Sequence, residues 1–251
     1  MTYKLVLVDL DDTLTPNLGM PPRPFYPSPL LRRSVRLALK HATIALCTGR
    51  DKATALAVVD SLGLTAPQII EGGAKIITAK GKNIWTRYLS LRSARLIINQ
   101  LKTTKTSFSV ITSGVEIINT IPRSHIDKIT AVFWYDLPPA ELSVFKNKLS
   151  HYPDLAVNIN QDRTGNTLYI THRAGTKSHG VRRLQKMLGV SKTETIGIGD
   201  GNNDRQLLLT CGLKVAMGNA VAEVKEIADY VAPGVKDDGV AHTLTKFILG
   251  K

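Results

Sequence analysis

The sequence predicts an α/β protein whose doubly wound parallel sheet is interrupted by an inserted α+β domain. Short apolar runs alternate with amphipathic segments at both ends of the 251-residue chain, and this alternation is typical of parallel βα units. In the middle of the chain, strand-like runs follow one another directly, which favours antiparallel pairing. We therefore expect a core made of residues 1–79 and 176–251 and an inserted domain made of residues 80–175.

The first strand is predicted at Leu5–Val8, an unbroken apolar run typical of a strand buried on both faces. It leads into three acids, and because strand side chains alternate, Asp9 and Asp11 should project to the same side. Open α/β sheets bind ligands at this end of their strands. Two carboxylates held close together repel each other, and a hard cation such as Mg²⁺ relieves that repulsion. The alternative is an acidic surface turn after a core strand.

The rest of the first core segment continues the βα rhythm. A loop at residues 16–29 holds six of the twelve prolines, so it cannot be a regular helix, and we expect it to lie near the site. Helices are predicted at about 29–41 and 51–62, and strands at 43–47 and 68–70.

The inserted segment and the last core segment differ in the order of their elements. In the insertion, helices are predicted at 90–101 and 138–150, and strands at 107–111, 115–120, 128–135, 155–159 and 167–171, with a turn at 162–166. The core then resumes with helices at 176–188, 204–211, 220–228 and 239–249, and with strands at 195–198, 213–216 and 229–231.

The charge of the chain is +13, and it is concentrated in the insertion. Residues 80–175 contain 13 Lys and Arg against 6 Asp and Glu, a net charge of +7, while each flanking segment carries +3. A basic surface attracts anions, although it can also be simply a solvated surface. No dense basic tract or aromatic-interleaved basic ribbon is present, so nucleic-acid binding is weakly supported.

The sequence favours a cytoplasmic protein without a membrane span. No stretch is long and uncharged enough to cross a bilayer, and Met1 leads directly into the first strand without a signal peptide. Cys47 and Cys211 lack CxxC spacing and lie in apolar surroundings, so we expect buried thiols in a reducing compartment.

Two further motifs fall where strands or linkers give way to helices. Thr48-Gly-Arg50 follows the second strand, and its hydroxyl group and free backbone amides suit a phosphate oxygen; a helix cap with a turn glycine is the alternative. Lys177 opens the helix at which the core resumes. A cation there is unfavourable with the helix dipole, which suggests a compensating anion such as Asp9 and a bound phosphate; an exposed surface lysine is the alternative.

The last motif, Gly197-Ile-Gly-Asp-Gly-Asn-Asn-Asp204, ends the strand predicted at 195–198. Its glycines allow a tight turn, and Asp200 and Asp204 can both reach a cation. Asn203 can orient Asp204 or a ligand oxygen. The alternative is an Asx-rich turn that caps the following helix.

Together, in this order, the four motifs resemble those of the haloacid dehalogenase (HAD) superfamily of phosphohydrolases. They are Asp9-Leu-Asp11 with Thr13, Thr48-Gly-Arg50, Lys177, and Gly199-Asp-Gly-Asn-Asn-Asp204. The inserted segment resembles the type IIB α/β cap of the branch that includes Cof-type and sucrose-phosphatase-like enzymes. Met217-Gly-Asn-Ala220 and Asp238-Gly-Val-Ala241 resemble the C-terminal signature of that branch. The core is then Rossmann-like, and Asp12, Ser178-His179 and the long proline-rich loop depart from the usual pattern without removing a catalytic group.

The resemblance implies a Mg²⁺-dependent phosphatase acting on small phosphate monoesters, either sugar phosphates or phosphoglycolate-like acids. Asp9 would attack phosphorus and form an aspartyl-phosphate, and Asp11, its pKa raised by Asp9 and burial, would protonate the leaving alkoxide and then activate water. Thr48 and Lys177 would stabilise charge on the transferring group. Phosphate binding is assigned to Thr48, Gly49, Arg50, Lys177 and Asn203, and Mg²⁺ binding to Asp9, Asp11 through its backbone carbonyl, Asp200 and Asp204.

The cap is expected to close over the site, to select the substrate and to direct its basic side chains towards it. Two other functions remain open. A hexose phosphomutase can share this core and cap, although the second motif Thr48-Gly-Arg50 argues against it. A non-catalytic protein could bind nucleic acid or other anions, although the complete set of acids argues against that.

Overall fold

A computed structural model describes residues 2–19, 23–162 and 165–251 of the chain. The strands are β1 (Leu5–Val8), β2 (Thr43–Leu46), β3 (Gln68–Ile70), β4 (Lys75–Ile77), β5 (Asn83–Thr86), β6 (Phe108–Thr112), β7 (Val115–Ile118), β8 (Ile129–Trp134), β9 (Leu155–Asp162), β10 (Gly165–His172), β11 (Thr195–Gly199), β12 (Leu213–Ala216) and β13 (Tyr230–Val231). The helices are α1 (Pro29–Ala38), α2 (Lys52–Leu62), α3 (Leu91–Leu101), α4 (Pro139–Ser150), α5 (Lys177–Leu188), α6 (Arg205–Leu208), α7 (Ala222–Lys225) and α8 (Gly239–Phe247).

Five strands form a parallel sheet in the order β13–β12–β11–β1–β2. Strand β1 lies inside this sheet and pairs in parallel with β11 on one side and β2 on the other. All four of its residues are buried, which explains its unbroken apolar sequence. The carboxyl ends of β1, β2 and β11 meet at one edge of the sheet, so the predicted α/β core with its motifs at strand ends is confirmed.

The insertion contains an antiparallel sheet in the order β7–β6–β8–β10–β9, which confirms an α+β cap. Because strand side chains alternate, β8 buries Val132 and Trp134 in a hydrophobic cluster with residues of α3 and α4. Phe133 points to the opposite face, where it packs with Tyr169 of β10. This second face of the cap sheet turns towards the core.

Strand β3 was expected to continue the parallel sheet as its third strand, but its main pairing is a different one. It pairs antiparallel with β4, and β4 pairs antiparallel with the unpredicted strand β5. In the described residues its parallel contact with the core sheet is a single bridge, between Cys47 and Ile69. The chain reverses in the turn Glu71–Gly73, where all three residues have positive φ, between 52° and 99°. Gly72 and Gly73 adopt this region readily because they have no Cβ. The predicted domain boundary after residue 79 falls between β4 and β5 and stays a prediction.

Helix α6 is shorter than the predicted 204–211, because the backbone amides of Thr210 and Cys211 bond three residues back and tighten the chain into a turn. The predicted proline-rich loop includes residues 20–22, which lie outside the described residues. Of the turn predicted at 162–166, residues 163 and 164 also lie outside them, while residue 162 ends β9 and residues 165 and 166 begin β10, so these three belong to strands. Every helix in the described residues is too short or too polar to span a membrane.

Candidate active site

Three carboxylates gather where β1 and β11 end. Asp9, Asp200 and Asp204 each offer an oxygen, and these oxygens lie within 4.8 Å of one another. Burial, reinforced by the charge of Asp204, raises the pKa of Asp9 to about 7 and that of Asp200 to about 9. Three carboxylates this close together repel one another, and an all-oxygen donor set is the one that Mg²⁺ prefers.

Lys177 lies at the first position of α5 and joins two of these acids. Its ammonium group donates to Asp9 Oδ1 at 2.6 Å and to Asp204 Oδ1 at 2.5 Å, and the side chain is 2% exposed. Burial alone would lower the pKa of Lys177, but the charges of Asp204 and Asp9 raise it well above its ordinary value. The anion expected to compensate a cation at this helix start is thus a pair of aspartates.

Asp204 organises the turn that carries Asp200. Its second oxygen accepts the backbone amides of Asp200 at 3.1 Å and Gly201 at 3.0 Å. Gly199 is required beside it, because a Cβ at that position would lie 2.5 Å from Asp204 Cβ. Thr13 Oγ1 donates to Asp200 Oδ1 at 2.7 Å and fixes that carboxylate from the side of β1.

Arg50 forms a bidentate ion pair with Asp11. Its Nε donates to Asp11 Oδ2 at 2.7 Å and its Nη2 to Asp11 Oδ1 at 2.8 Å, while Nη1 donates to the carbonyl of Gly19 at 2.9 Å. The backbone amide of Leu18 also donates to Asp11 Oδ1 at 3.0 Å. The sequence predicted a phosphate-binding role for Arg50, whereas the structure places its guanidinium group on Asp11 and on the loop that follows β1.

A cavity of about 330 Å³ separates these strand ends from the cap sheet. Its core side includes the sequence-predicted residues Asp9, Asp11, Thr48, Gly49, Arg50, Asp200 and Asn203, together with Asp12, Asn17, Gly19, Gly201 and Val221. Its cap side, which the sequence analysis did not identify, consists of Glu116, Phe133, Tyr135, Asn158, Thr167 and Tyr169. The spacing by two of Phe133 in β8 and Tyr135 just after it indicates that these side chains share one face, but it does not show that this face meets the core.

The expectation that basic cap residues face the substrate is not met by the described residues. None of the six cap residues that line the cavity is Lys or Arg. The hydrophobic cluster on the core-facing side of the cap sheet contains Ile111, Ala131, Phe133 and Tyr169, none of them basic. The net charge of +7 in the insertion therefore gives no support for substrate attraction at the site.

Glycines let the cap approach the core closely. A Cβ on Gly49 would lie 3.4 Å from the ring of Phe133. At Gly72, where φ is 67°, a Cβ would lie 1.2 Å from the hydroxyl oxygen of Tyr169. These two aromatic residues of the cap thus press directly on turns that follow β2 and β3, which closes one side of the cavity.

Comparison with known proteins agrees with this architecture. Residues 6–130 and 114–244 match the model of the haloacid dehalogenase-like hydrolase family. YxeH of Bacillus subtilis strain 168 is 28% identical over an alignment of 284 positions, which covers 99% of this chain and 100% of YxeH. Phosphoglycolate phosphatase 1 of Saccharolobus solfataricus is 35% identical over 88 residues, 35% of this chain and 39% of that protein.

The fold also has a close match among solved structures. The structure of the HAD subclass IIB sugar phosphatase BT4131 superposes with a TM-score of 0.79 at 20% identity, covering 98% of this chain and 99% of that one. The two chains therefore share the fold over nearly their whole lengths. Because the family model spans most of the sequence, this chain belongs to the haloacid dehalogenase-like hydrolases and is a phosphatase of that family.

Proposed function

We propose that the protein is a Mg²⁺-dependent phosphatase that hydrolyses small phosphate monoesters through an aspartyl-phosphate on Asp9. The observation that carries the proposal is the position of Asp9: it is 6% exposed, borders the cavity and is held by Lys177 through one carboxylate oxygen. The other oxygen remains for attack on phosphorus. We place the activity in the cytoplasm, since both cysteines are buried free thiols, which suit a reducing compartment.

The reaction has two steps. In the first, the bond from Asp9 oxygen to phosphorus forms as the ester bond to the leaving oxygen breaks, and Asp11 gives its proton to the leaving alkoxide. In the second, water attacks phosphorus, Asp11 takes the proton of that water, and inorganic phosphate leaves Asp9. Arg50 and the backbone amide of Leu18 donate to both oxygens of Asp11, which holds this carboxyl group at the border of the cavity.

The donor set fits a resident Mg²⁺. Asp9 and Asp200 would hold it, with Asp204 beside them and the Asp11 backbone carbonyl as the further ligand inferred from the family resemblance. When bound, the cation would reduce the repulsion between the anionic nucleophile and an anionic phosphate. Lys177 supplies a second positive charge next to Asp9, and Thr48 borders the same cavity. Both are proposed to stabilise the transferring phosphoryl group.

The test replaces Asp9 with Asn, which has the same shape but is a far poorer nucleophile. We expect phosphate release from 4-nitrophenyl phosphate and from a panel of phosphorylated metabolites to fall at least about 10³-fold, since the covalent step is lost. Asp60→Asn, the same change at an exposed position of α2, is the control and should retain wild-type rates. Chelation of divalent cations should remove the wild-type activity, and Mg²⁺ should restore it. Turnover by folded Asp9→Asn near the wild-type rate would exclude this mechanism.

A further inference from the structure

The cap side of the cavity is neutral except for one residue. Phe133 lies between two other rings, 6.3 Å from Tyr135 and 4.7 Å from Tyr169 by ring centroids. Asn158 and Thr167 add neutral polar groups. The remaining described residue of this wall is Glu116 of β7, which is the only acid among the six.

Glu116 is held in place by its neighbours on the cap sheet. Its Oε1 accepts a hydrogen bond of 2.6 Å from Ser109 Oγ, and Ser109 in turn lies 3.1 Å from the hydroxyl oxygen of Tyr135. This contact fixes the carboxylate beside the phenol group on the wall opposite the strand ends. A ligand in the cavity would therefore find one fixed anionic acceptor, Glu116, among otherwise neutral groups on the cap side.

The charges along the cavity are strongly one-sided. Five of the described lining residues are acidic, Asp9, Asp11, Asp12, Glu116 and Asp200, and Arg50 is the one basic residue among them. Arg50 is already engaged by Asp11. A Mg²⁺ ion and a phosphate dianion would add charges that cancel each other. The described residues of the cap wall include no cation that could pair with a further negative group on the substrate.

Burial adds to this asymmetry. It raises the pKa of Glu116, while the hydrogen bond from Ser109 and the charge of Arg50 oppose that rise. A second anion placed beside Glu116 would either be repelled or force a proton onto the carboxylate, and both outcomes cost binding free energy. A hydroxyl group carries no such penalty, because it can donate a hydrogen bond to the carboxylate.

From this arrangement we infer that Glu116 is a specificity-determining residue that selects esters of neutral, hydroxyl-bearing alcohols and rejects esters of hydroxy acids. The inference rests on the proposed phosphatase function and narrows its substrate class. It excludes the phosphoglycolate-like acids that the sequence alone left open. Glu116 would act on the alcohol part of the ester, which leaves with the ester oxygen, while the phosphoryl group would bind at the strand ends.

The experiment compares substrates that differ by one group. Glycerol 3-phosphate and 3-phosphoglycerate have the same chain length and differ in a CH₂OH group against a carboxylate; 2-hydroxyethyl phosphate and 2-phosphoglycolate form a second such pair. We expect wild-type kcat/KM to favour the alcohol of each pair at least about tenfold, equivalent to about 1.4 kcal/mol. Glu116→Gln keeps the size and a hydrogen-bond acceptor but removes the charge. It should reduce that ratio at least about fivefold, mainly through faster hydrolysis of the acid ester.

The control is Glu141→Gln, the same change at an exposed position in the first turn of α4, which should leave the ratio unchanged. Turnover of 4-nitrophenyl phosphate, measured on each preparation, separates the two possible failures. If the wild-type enzyme hydrolyses the aryl ester but prefers the acid of each pair, or shows no preference, the inference is wrong and the phosphatase function stands. If folded Glu116→Gln keeps the wild-type ratio, Glu116 is not the selecting residue. If no ester is hydrolysed, both proposals fail.

Discussion

At the scale of single residues, the main finding is that the acid–base candidate is restrained by a partner. Asp11 accepts two hydrogen bonds from Arg50, whose side chain also bonds the carbonyl of Gly19 in the loop after β1. A guanidinium group matches a carboxylate in two places at once, which an ammonium group cannot do. Arg50 thus positions Asp11 and ties it to the loop that borders the cavity.

Arg50→Lys tests this positioning role. We expect kcat for an alkyl phosphate to fall about tenfold, a part of the 10²–10⁴ that a placed general acid typically supplies. Hydrolysis of 4-nitrophenyl phosphate should change less than about threefold, because its leaving group needs little protonation. Arg36→Lys, on an exposed face of α1, is the matched control. Equal loss on both esters would contradict the role and would point instead to phosphate binding by Arg50.

At the scale of elements, the site depends on tight turns that follow the core strands. Gly72 illustrates this, because its backbone is left-handed and its missing side chain makes room for Tyr169 of β10. Tyr169 Oη also lies 3.4 Å from the carbonyl oxygen of Glu71. The turn after β3 is therefore one of the surfaces on which the cap sheet rests.

Comparing Gly72→Ala with Gly63→Ala separates the cost of a left-handed backbone from the cost of a steric clash with Tyr169. Both glycines have φ near 66°, since the values are 67° and 65°, but a Cβ on Gly63 would meet no atom within 4 Å. Gly63→Ala should cost about 1 kcal/mol of the free energy of unfolding, from the left-handed backbone alone. Gly72→Ala should cost more, about 2–4 kcal/mol, because Tyr169 has to move as well. Urea denaturation measures both values.

Catalysis provides the second readout for this pair. Gly72→Ala should lower kcat/KM for a metabolite ester, since the cap can no longer rest on the turn, while Gly63→Ala should not. If the two variants are equally stable, the close approach of Tyr169 to Gly72 does not contribute to the native packing.

At the scale of the whole molecule, the two largest hydrophobic clusters of the described residues belong to different parts of the chain. One cluster contains buried residues from Leu5–Ile77 and Val181–Leu244, and the other contains those from Leu89–Ile170. The chain leaves the core after Arg87 and returns to it at Gly175. These two points are neighbours, since a Cβ on Gly175 would lie 3.3 Å from Arg87 Cβ. The acids of the site and Lys177 belong to the first part, whereas the cap wall of the cavity belongs to the second.

Removal of residues 88–174 and their replacement by a short Gly/Ser linker should therefore leave a folded core that retains β5. We expect this core to hydrolyse 4-nitrophenyl phosphate slowly, because the nucleophile and the acids for the metal remain. It should lose its ranking among metabolite esters, because the contacts that differ between substrates lie on the cap. Circular dichroism and a cooperative thermal transition establish folding, and kcat/KM for several esters gives the ranking. A folded core with an unchanged ranking would show that the cap does not select the substrate.

The sequence by itself determined the arrangement of the core. Apolar runs that end in acids, hydroxyls and glycines can form buried strands of a parallel sheet, and parallel strands bring their carboxyl ends to one edge whatever lies between them in the chain. Local chemistry thus sufficed to identify Asp9, Asp11, Thr48, Lys177, Asp200 and Asp204 as candidates. Their catalytic and metal-binding roles remain predictions.

Tertiary structure alone decided how those residues pair and what faces them. The side-chain pairing of Arg50 with Asp11 depends on an approach across 39 residues of sequence, and the additional pairing of Lys177 with Asp204 on one across 27. The residues of the cap wall could not be predicted from the sequence either, because alternation shows that a strand has two faces but not which face meets the core. The charge of the cap is a sum over its whole surface, whereas a substrate in the cavity meets the few side chains that the fold turns towards it.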